Sequence, residues 1–229
     1  MSSFKLVIID RSGERGWGVR KGSGSVDTHR LYVDYRILNK ATIKDHFPLP
    51  RIESLLAKIG DATVFSTLDL HSGYHQIPVE PADVEKTAFT IHNGKYQYRV
   101  MPLGLVNAPL TFARYMADLF RDLDFVLTYL DDILVLSHSV EEHHEHLRIV
   151  LGRLKQENLI AKEKKCHFLQ SEVEFLGYTI SANSIRPVRG KCAVIRRILL
   201  CTTVKAAQRF LGTINYYRRF IPHCSEIAI

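Results

Sequence analysis

The chain has 229 residues, 46% hydrophobic and 24% charged, enough for one large or two modest domains with a real core. No apolar run approaches the ~20 residues of a membrane span, and the start MSSFKLVIIDRSG lacks the apolar core of a signal peptide. The four cysteines, at 166, 192, 201 and 224, stand too far apart for a zinc module or a disulfide framework, so a reducing compartment is expected.

Residues 1–30 carry little pattern beyond KGSGS (21–25), which reads as a loop, and the lone Trp17 has no assigned role. LYVDYRIL (31–38) is the first strand-like stretch. In PLPRIESLLAKIG, Ile52, Leu55, Leu56 and Ile59 make one helical face that Gly60 ends. ATVFSTLDL (62–70) is rich in β-formers and closes on an acid, Asp69. KTAFTIH and KYQYRV flank Asn93-Gly94, a strong hairpin signal. NAPLTFARYMADLF predicts a helix with Asn107 as its cap, Pro109 in the first turn, and Phe112, Tyr115, Met116 and Leu119 on one stripe.

FVLTYLDDILVLS (125–137) reads as strand, turn, strand. Ser139 and Glu142 form a capping box for a helix whose face is Leu147, Val150, Leu151 and Leu154. VEFLGYTI (173–180) is a strand paired through the turn SANS. A long helix from Thr203 to Phe220 turns Phe210, Leu211, Ile214 and Tyr217 inward. The order predicts an α+β fold with a mainly helical tail. That tail is basic: residues 186–229 hold nine Lys or Arg against one acid, Glu226, so the net charge of +7 lies there. It is either a solvated face or a surface for a polyanion, nucleic acid before membrane.

Asp131 and Asp132 are the anomaly, because they sit side by side in an otherwise apolar run. A buried, unpaired carboxylate costs several kcal/mol or titrates until it is neutral. The pair therefore meets a cation or reaches solvent at a turn. With Asp69 at the end of another strand, the three acids offer hard oxygen ligands on rigid elements, the set that two magnesium ions need. Two such ions clamp the attacking and leaving oxygens of a phosphoryl transfer and remove the cost of burying the charge. Spacing alone favours an ordinary surface hairpin, since adjacent aspartates are common there.

The neighbouring residues add to this. Tyr129-Leu130-Asp131-Asp132 resembles the Tyr-x-Asp-Asp signature of reverse transcriptases, and STLDLHSGYHQI (66–77) resembles their first palm motif. VDYRILNKATIKDHFPLPRIESLL, KTAF, MPLGLVNAPLTFARYM, EFLGYTIS and FLGTINYYRRFI follow in the family's order. The whole is similar to gypsy-type LTR-retrotransposon enzymes, continuously from about Arg30 to Ala228.

The resemblance implies a right-hand polymerase fold: an antiparallel palm sheet packed on helices, with a mainly helical thumb. Its expected parts are fingers over 1–61 (1–29 atypical), palm over 62–83, a fingers/palm continuation over 84–104, palm over 105–185 and thumb over 186–229. It implies an RNA-directed DNA polymerase that extends a primer with deoxynucleoside triphosphates on an RNA or DNA template, using two Mg²⁺ (or Mn²⁺) ions. Asp69, Asp131, Asp132 and the Leu70 carbonyl are then metal ligands. Tyr74 excludes a ribose 2′-hydroxyl, its alternative being a plain core aromatic. Arg30 contacts the triphosphate, where a guanidinium suits phosphate. Leu103 lines the nucleotide pocket, although related enzymes more often carry Phe there.

Phe175, Leu176, Gly177 and Tyr178 form the hairpin under the primer terminus. Lys165, beside Lys162 and Lys164, is the candidate acid for the leaving pyrophosphate, or one of a solvated lysine run. Gln208, Gly212 and Tyr216 lie on the helix that follows the duplex minor groove, with Arg196, Arg197, Arg209, Arg218 and Arg219 near phosphates. His143, His144 and His146 are either a metal cluster or a helix start like the family's own.

Upstream of Arg30 the pattern departs, since GVRKGSGSVDTHRLYVDYR lacks the family's tight turn, though Arg20 and Lys21 retain charge. No connection region or ribonuclease H domain is matched, so the expectation is a piece of a polyprotein, intracellular, cytoplasmic or in virus-like particles, away from membranes. Two alternatives accompany the polymerase: a non-catalytic template–primer-binding remnant and a metal-dependent nuclease.

Overall fold

A four-stranded antiparallel sheet, with apolar layers on both faces, organises the chain. The computed structural model describes residues 6–9, 30–91, 94–188, 190, 203–221 and 223. The sheet runs β6 (Val126–Tyr129), β7 (Asp132–Ser137), β3 (Val64–Asp69), β8 (His167–Gln170), with β3 and β7 paired from Val64↔Ser137 to Asp69↔Asp132. Along β7 the side chains alternate between two cores. Ile133 and Val135 join Leu68, Val126, Phe112, Met116, Val150 and Leu154 on one face; Leu134 and Leu136 join Phe65, Leu127, Leu55, Leu56 and Ile180 on the other. A strand covered on both sides has no solvent face to mark with polar residues, hence the unbroken Ile-Leu-Val-Leu. Each of these side chains contributes about 1.5–3 kcal/mol by burial.

The first face is covered by α3 (Ala108–Leu119) and α4 (Val140–Gln156). The second is covered by α2 (Ile52–Ala57) and by a small sheet, β9 (Glu172–Phe175), β10 (Tyr178–Ser181) and β11 (Ser184–Pro187), with strand order β11-β10-β9. A third core, Val33, Tyr35 and Phe89, joins β2 (Arg30–Val33) to the hairpin β4 (Phe89–Ile91) and β5 (Gly94–Tyr96). Strand β1 (Leu6–Ile9) pairs antiparallel with β2, and α1 (Arg36–Ala41) follows it. The chain is thus α+β with antiparallel sheets, as the element order implied. No described helix is long and apolar enough to cross a membrane.

Five local expectations change. The stretch 31–38 is not one strand: β2 stops at Val33 because the Asp34 carboxylate accepts from the Arg36 amide at 3.1 Å and from its guanidinium, which turns the chain into α1. VEFLGYTI is two strands, broken at Leu176 (φ 49°) and Gly177 (φ 75°), a two-residue turn with both central residues left-handed. Asn107 stands at the start of α3 without capping it. Its amide bonds across the fold instead, Nδ2 donating to Ile43 O and Oδ1 accepting from Asp45 N.

Leu151 is 42% exposed because Leu147, Val150 and Leu154 already fill the inner stripe of α4. Leu211 is 46% exposed on α5 (Val204–Tyr216), a helix with no buried residue, whereas Tyr217 just beyond it is buried. The expected box at α4 forms: Ser139 Oγ accepts from Glu142 N at 3.2 Å, and the Glu142 carboxylate reaches back to accept from His138 N at 2.6 Å. Asn93, Trp17, Arg20, Lys21, Arg196, Arg197, Cys192, Cys201, Cys224, the KGSGS loop and the SEIAI end lie outside the described residues.

His143 is completely buried, with Nε2 2.7 Å from Ser66 Oγ on β3 and Nδ1 2.7 Å from Ser137 Oγ on β7. It pins α4 to the two central strands. Burial, then the charges of His146 and His144, hold its pKa below the ordinary 6.5. In the unfolded chain it titrates near 6.5, so protons favour unfolding. Its stabilisation is complete above about pH 6.5 and is lost as pH falls below it, at no more than about 1.4 kcal/mol per pH unit. We expect His143→Ala to lower stability at pH 7 by about 2–4 kcal/mol, by removing two buried hydrogen bonds and leaving a cavity, and to flatten the acid limb of denaturant unfolding between pH 7 and 5.

Candidate active site

The hairpin β6–β7 turns in two residues, Leu130 and Asp131, between the cross-strand partners Tyr129 and Asp132. Leu130 has φ 54°, a left-handed conformation costing a non-glycine residue about 1–2 kcal/mol. The sheet cores on either side hold that turn. Asp132 lies opposite Asp69 in the β3–β7 register, so all three carboxylates share one end of the sheet.

Partial desolvation, then the charges of Asp131 and Asp69, push the Asp132 carboxyl above its usual range, and the Lys165 charge opposes this. Lys165 Nζ donates to Asp69 Oδ2 at 2.7 Å. The lysine is delivered there by backbone: Lys162 N donates to Asp69 O at 2.8 Å, and the short turn Glu163–Lys165 follows. Lys165 pairs with Asp69, which leaves Asp131 and Asp132 as negative charge at the same edge, a setting that suits divalent ions. Among the described residues no three Asp, Glu, His or Cys side chains already converge as a closed metal cage. The fit to a metal therefore rests on the chemistry of the donor set. Leu70, whose carbonyl the resemblance placed among the ligands, is buried just past the end of β3.

Tyr74 sits beside this edge, in the turn Gly73–Gln76 that follows β3. Its ring centroid is 5.2 Å from that of Phe112, and its pKa is raised by burial and then by the Asp131 charge. Gly73 carried no signal in the local pattern, yet a Cβ there would stand 2.9 Å from the Phe112 ring, so any other residue would push that ring aside. Ser72, at φ 52°, was the available signal: a small-residue turn between a strand and an aromatic. Leu103 is half-buried in the 101–106 loop, next to Gly104 at φ 100°. The backbone of Arg30 pairs with Ile9, and its side chain lies outside the described residues.

Phe175 and Leu176 of the 175–178 hairpin share a cavity of about 310 Å³ with Asp69 and Asp132, lined also by Lys164, Lys165 and His167. Phe175 and Tyr178 are its buried anchors, and Leu176 and Gly177 form its partly exposed tip. The end of α5 grips this tip. Tyr216 donates its hydroxyl to Leu176 O at 2.5 Å, Tyr178 donates to Tyr216 O at 2.8 Å, and the Tyr178 and Tyr216 rings stack at 5.6 Å. Gln208, Gly212 and Tyr216 are exposed, as are Arg209, Arg218 and Arg219. His146 Nδ1 faces Ser137 Oγ and Leu136 O, and with His143 tied to two serines these rings serve packing.

Asp131 in a tight turn, Asp132 beside it at the start of β7, Asp69 across the strand pair and the Tyr74 ring nearby stand where the sequence resemblance expected them. A sequence model of the family "Reverse transcriptase (RNA-dependent DNA polymerase)" matches residues 19–180, and the chain belongs to that family. It is 42% identical over 202 residues to the retrovirus-related Pol polyprotein from transposon opus of Drosophila melanogaster, covering 87% of this chain and 20% of that one. It is 41% identical over 203 residues to the transposon Tf2-3 polyprotein of Schizosaccharomyces pombe, covering 88% and 15%.

Among solved structures, the foamy viral protease-reverse transcriptase in complex with dsDNA superposes with a TM-score of 0.82 at 26% identity, over 98% of this chain and 44% of that one. The same viral protein in complex with RNA/DNA hybrid gives 0.75 at 25%, over 94% and 27%. The chain spans about a fifth or less of the length of these curated relatives. The fold is the right-hand polymerase fold that the sequence resemblance implied.

Gly177→Ala should cost about 1–2 kcal/mol in denaturant unfolding, since φ is 75° and the new Cβ meets the Tyr217 hydroxyl at 3.2 Å. An unchanged midpoint would mean the tip is looser than the bonds from Tyr216 and Tyr217 require.

Proposed function

We propose that the chain is the polymerase portion of a gypsy-type LTR-retrotransposon polyprotein, adding deoxynucleotides to a primer on an RNA or DNA template. The observation that carries this is the register Asp69↔Asp132 with Asp131 in the adjoining turn, opening on the cavity shared with the 175–178 hairpin. In this reading the fingers span 1–61, the palm 62–83 and 105–185 with a fingers/palm continuation over 84–104, and the thumb 186–229.

Asp69, Asp131, Asp132 and the Leu70 carbonyl would hold two Mg²⁺ or Mn²⁺ ions. When bound, such ions act as Lewis acids on the phosphoryl oxygens and neutralise the charge that develops there. The reaction joins the primer 3′-oxygen to the α-phosphorus of the nucleotide and breaks the bond to pyrophosphate. Lys165 holds a proton beside Asp69, within the site, for the departing pyrophosphate. The Tyr74 ring, backed by Phe112, fills the space a 2′-hydroxyl would need. Arg30 takes the triphosphate, and Leu103 packs on the incoming nucleotide. Leu176 and Gly177 carry the primer end, with Phe175 and Tyr178 beneath them. Gln208, Gly212 and Tyr216 face the minor groove of the template–primer duplex. The exposed arginines of the thumb neutralise phosphates, so binding weakens steeply with salt.

Primer extension on an RNA template with four deoxynucleotides and Mg²⁺ tests the proposal. The wild type should extend, and Asp131→Asn should lose at least ~10³-fold in rate, a charge-stabilising group being worth about that much. Salt-sensitive binding with no extension would leave a binding remnant; a shortened primer would indicate a nuclease. In the same assay Tyr74→Ala should raise ribonucleotide incorporation by roughly 10- to 100-fold relative to deoxynucleotide, the value of a steric gate of ~1–3 kcal/mol. Equal discrimination in both proteins would return Tyr74 to the core.

A further inference from the structure

The side chain of Asn39 makes a contact that nothing in the polymerase motifs requires. It lies in α1, and its amide reaches the 101–106 loop in two directions: Nδ2 donates to Gly104 O at 2.8 Å, and Oδ1 accepts from Val106 N at 2.9 Å. The bonds also fix which way the amide faces, because reversing it would set oxygen against oxygen and nitrogen against nitrogen. The loop needs such a clip. It passes through Gly104 at φ 100°, a conformation that imposes little of its own rigidity, and the peptide groups of residues 104 and 106 would otherwise turn to water. Upstream the loop is anchored, with Met101 N donating to Ile77 O at 2.8 Å and Met101 buried. Leu103 hangs between that anchor and the clip.

Resting on the polymerase reading, we propose that Asn39 is a positioning residue for nucleotide selection, its amide holding the 101–106 loop so that Leu103 presents a fixed surface to the incoming base and sugar. Aspartate keeps the shape but sets a carboxylate oxygen against the Gly104 carbonyl. Alanine removes both bonds. Asn107 supplies an internal comparison. Its amide ties the same neighbourhood together, to Ile43 O at 2.8 Å and Asp45 N at 3.0 Å, without bonding the backbone of residues 104–106. A general loosening between α1 and α3 should follow from either asparagine, whereas an effect on the nucleotide pocket should follow from Asn39 alone.

The test is steady-state incorporation of a single deoxynucleotide on a primed template by the wild type, Asn39→Asp, Asn39→Ala and Asn107→Ala, with melting curves and template–primer affinities alongside. Both Asn39 variants should raise the nucleotide KM about tenfold, with kcat within about twofold and template–primer affinity unchanged, as loss of one or two well-placed hydrogen bonds implies. Asn107→Ala should lower the melting temperature and leave the nucleotide KM alone. The inference is overturned if the Asn39 variants keep the wild-type KM, if their kinetic changes track the melting temperature as those of Asn107→Ala do, or if both fail to fold, which would make the amide a fold determinant only. A wild type that incorporates nothing removes the polymerase reading and this inference with it. An active wild type with indifferent Asn39 variants removes the inference alone.

Discussion

Everything at this site depends on the register between β3 and β7. Strand side chains alternate with a period of two, so sliding one strand by a residue would send Ile133 and Val135 into the space of Leu134 and Leu136, and the reverse. Both faces of the sheet are filled, so neither can absorb the exchange. His143 adds a second constraint, because its ring reaches Ser66 on one strand and Ser137 on the other. The pairing of Asp69 with Asp132 follows from this without any attraction between them. Two like charges are held across a strand pair by apolar packing and hydrogen bonds elsewhere.

That arrangement accounts for part of the backbone strain. Of the seven non-glycine described residues with positive φ, Ser72, Leu130 and Leu176 stand at the acid-bearing edge or on the hairpin facing it, the others being Asn158, Leu169, Asn183 and His223. Such residues persist where the surrounding structure over-determines them. Here Ser72 follows β3, Leu130 joins β6 to β7, and Leu176 joins β9 to β10, all strands with a buried side. The local cost is met by the cores, and the gain is geometry: carboxylates, aromatic ring and hairpin tip on one side of a rigid sheet. Lys165 moderates the repulsion, and its approach is likewise set by backbone, through Lys162 and Asp69.

Much of this was legible in the sequence because it is written in local patterns. Alternation and β-branching mark β3, β6 and β7; the stripe of Phe112 and Met116 marks α3; Ser139 marks the start of α4. The aspartates stood out because their charge contradicts their neighbours. What was missed depends on contacts far apart in the chain. Asn107 looked like a cap because a cap is the commonest local use of asparagine at that position; its bonds to Ile43 and Asp45 span more than 60 residues. Asn39 gave no local signal, since an asparagine in a short helix reads as solvent-facing. Leu151 and Leu211 were placed inward by periodicity, which gives a helix its apolar stripe but not the width of the surface that receives it. The break of VEFLGYTI at Leu176 has the same origin, as leucine is a poor advertisement for a left-handed turn.

The helix α5 carries this reasoning one step further. None of its residues is buried, and its side chains at 204 and 211 stand in solvent, so it is not held along its length by apolar packing within the described residues. It is held at one end. Tyr217 enters the second core, Tyr178 donates to Tyr216 O while Tyr216 donates to Leu176 O at the hairpin tip, and Tyr129, which opens the aspartate turn, packs against the same cluster. Acid turn, hairpin tip and the foot of the basic helix therefore share one aromatic cluster. A helix fixed at a single end can change its angle at small energetic cost, while the residues at its foot keep their places. In a polymerase this separation has a clear use. On the reading proposed above, the arginine-bearing surface would follow a duplex while the sheet sets the positions of the carboxylates.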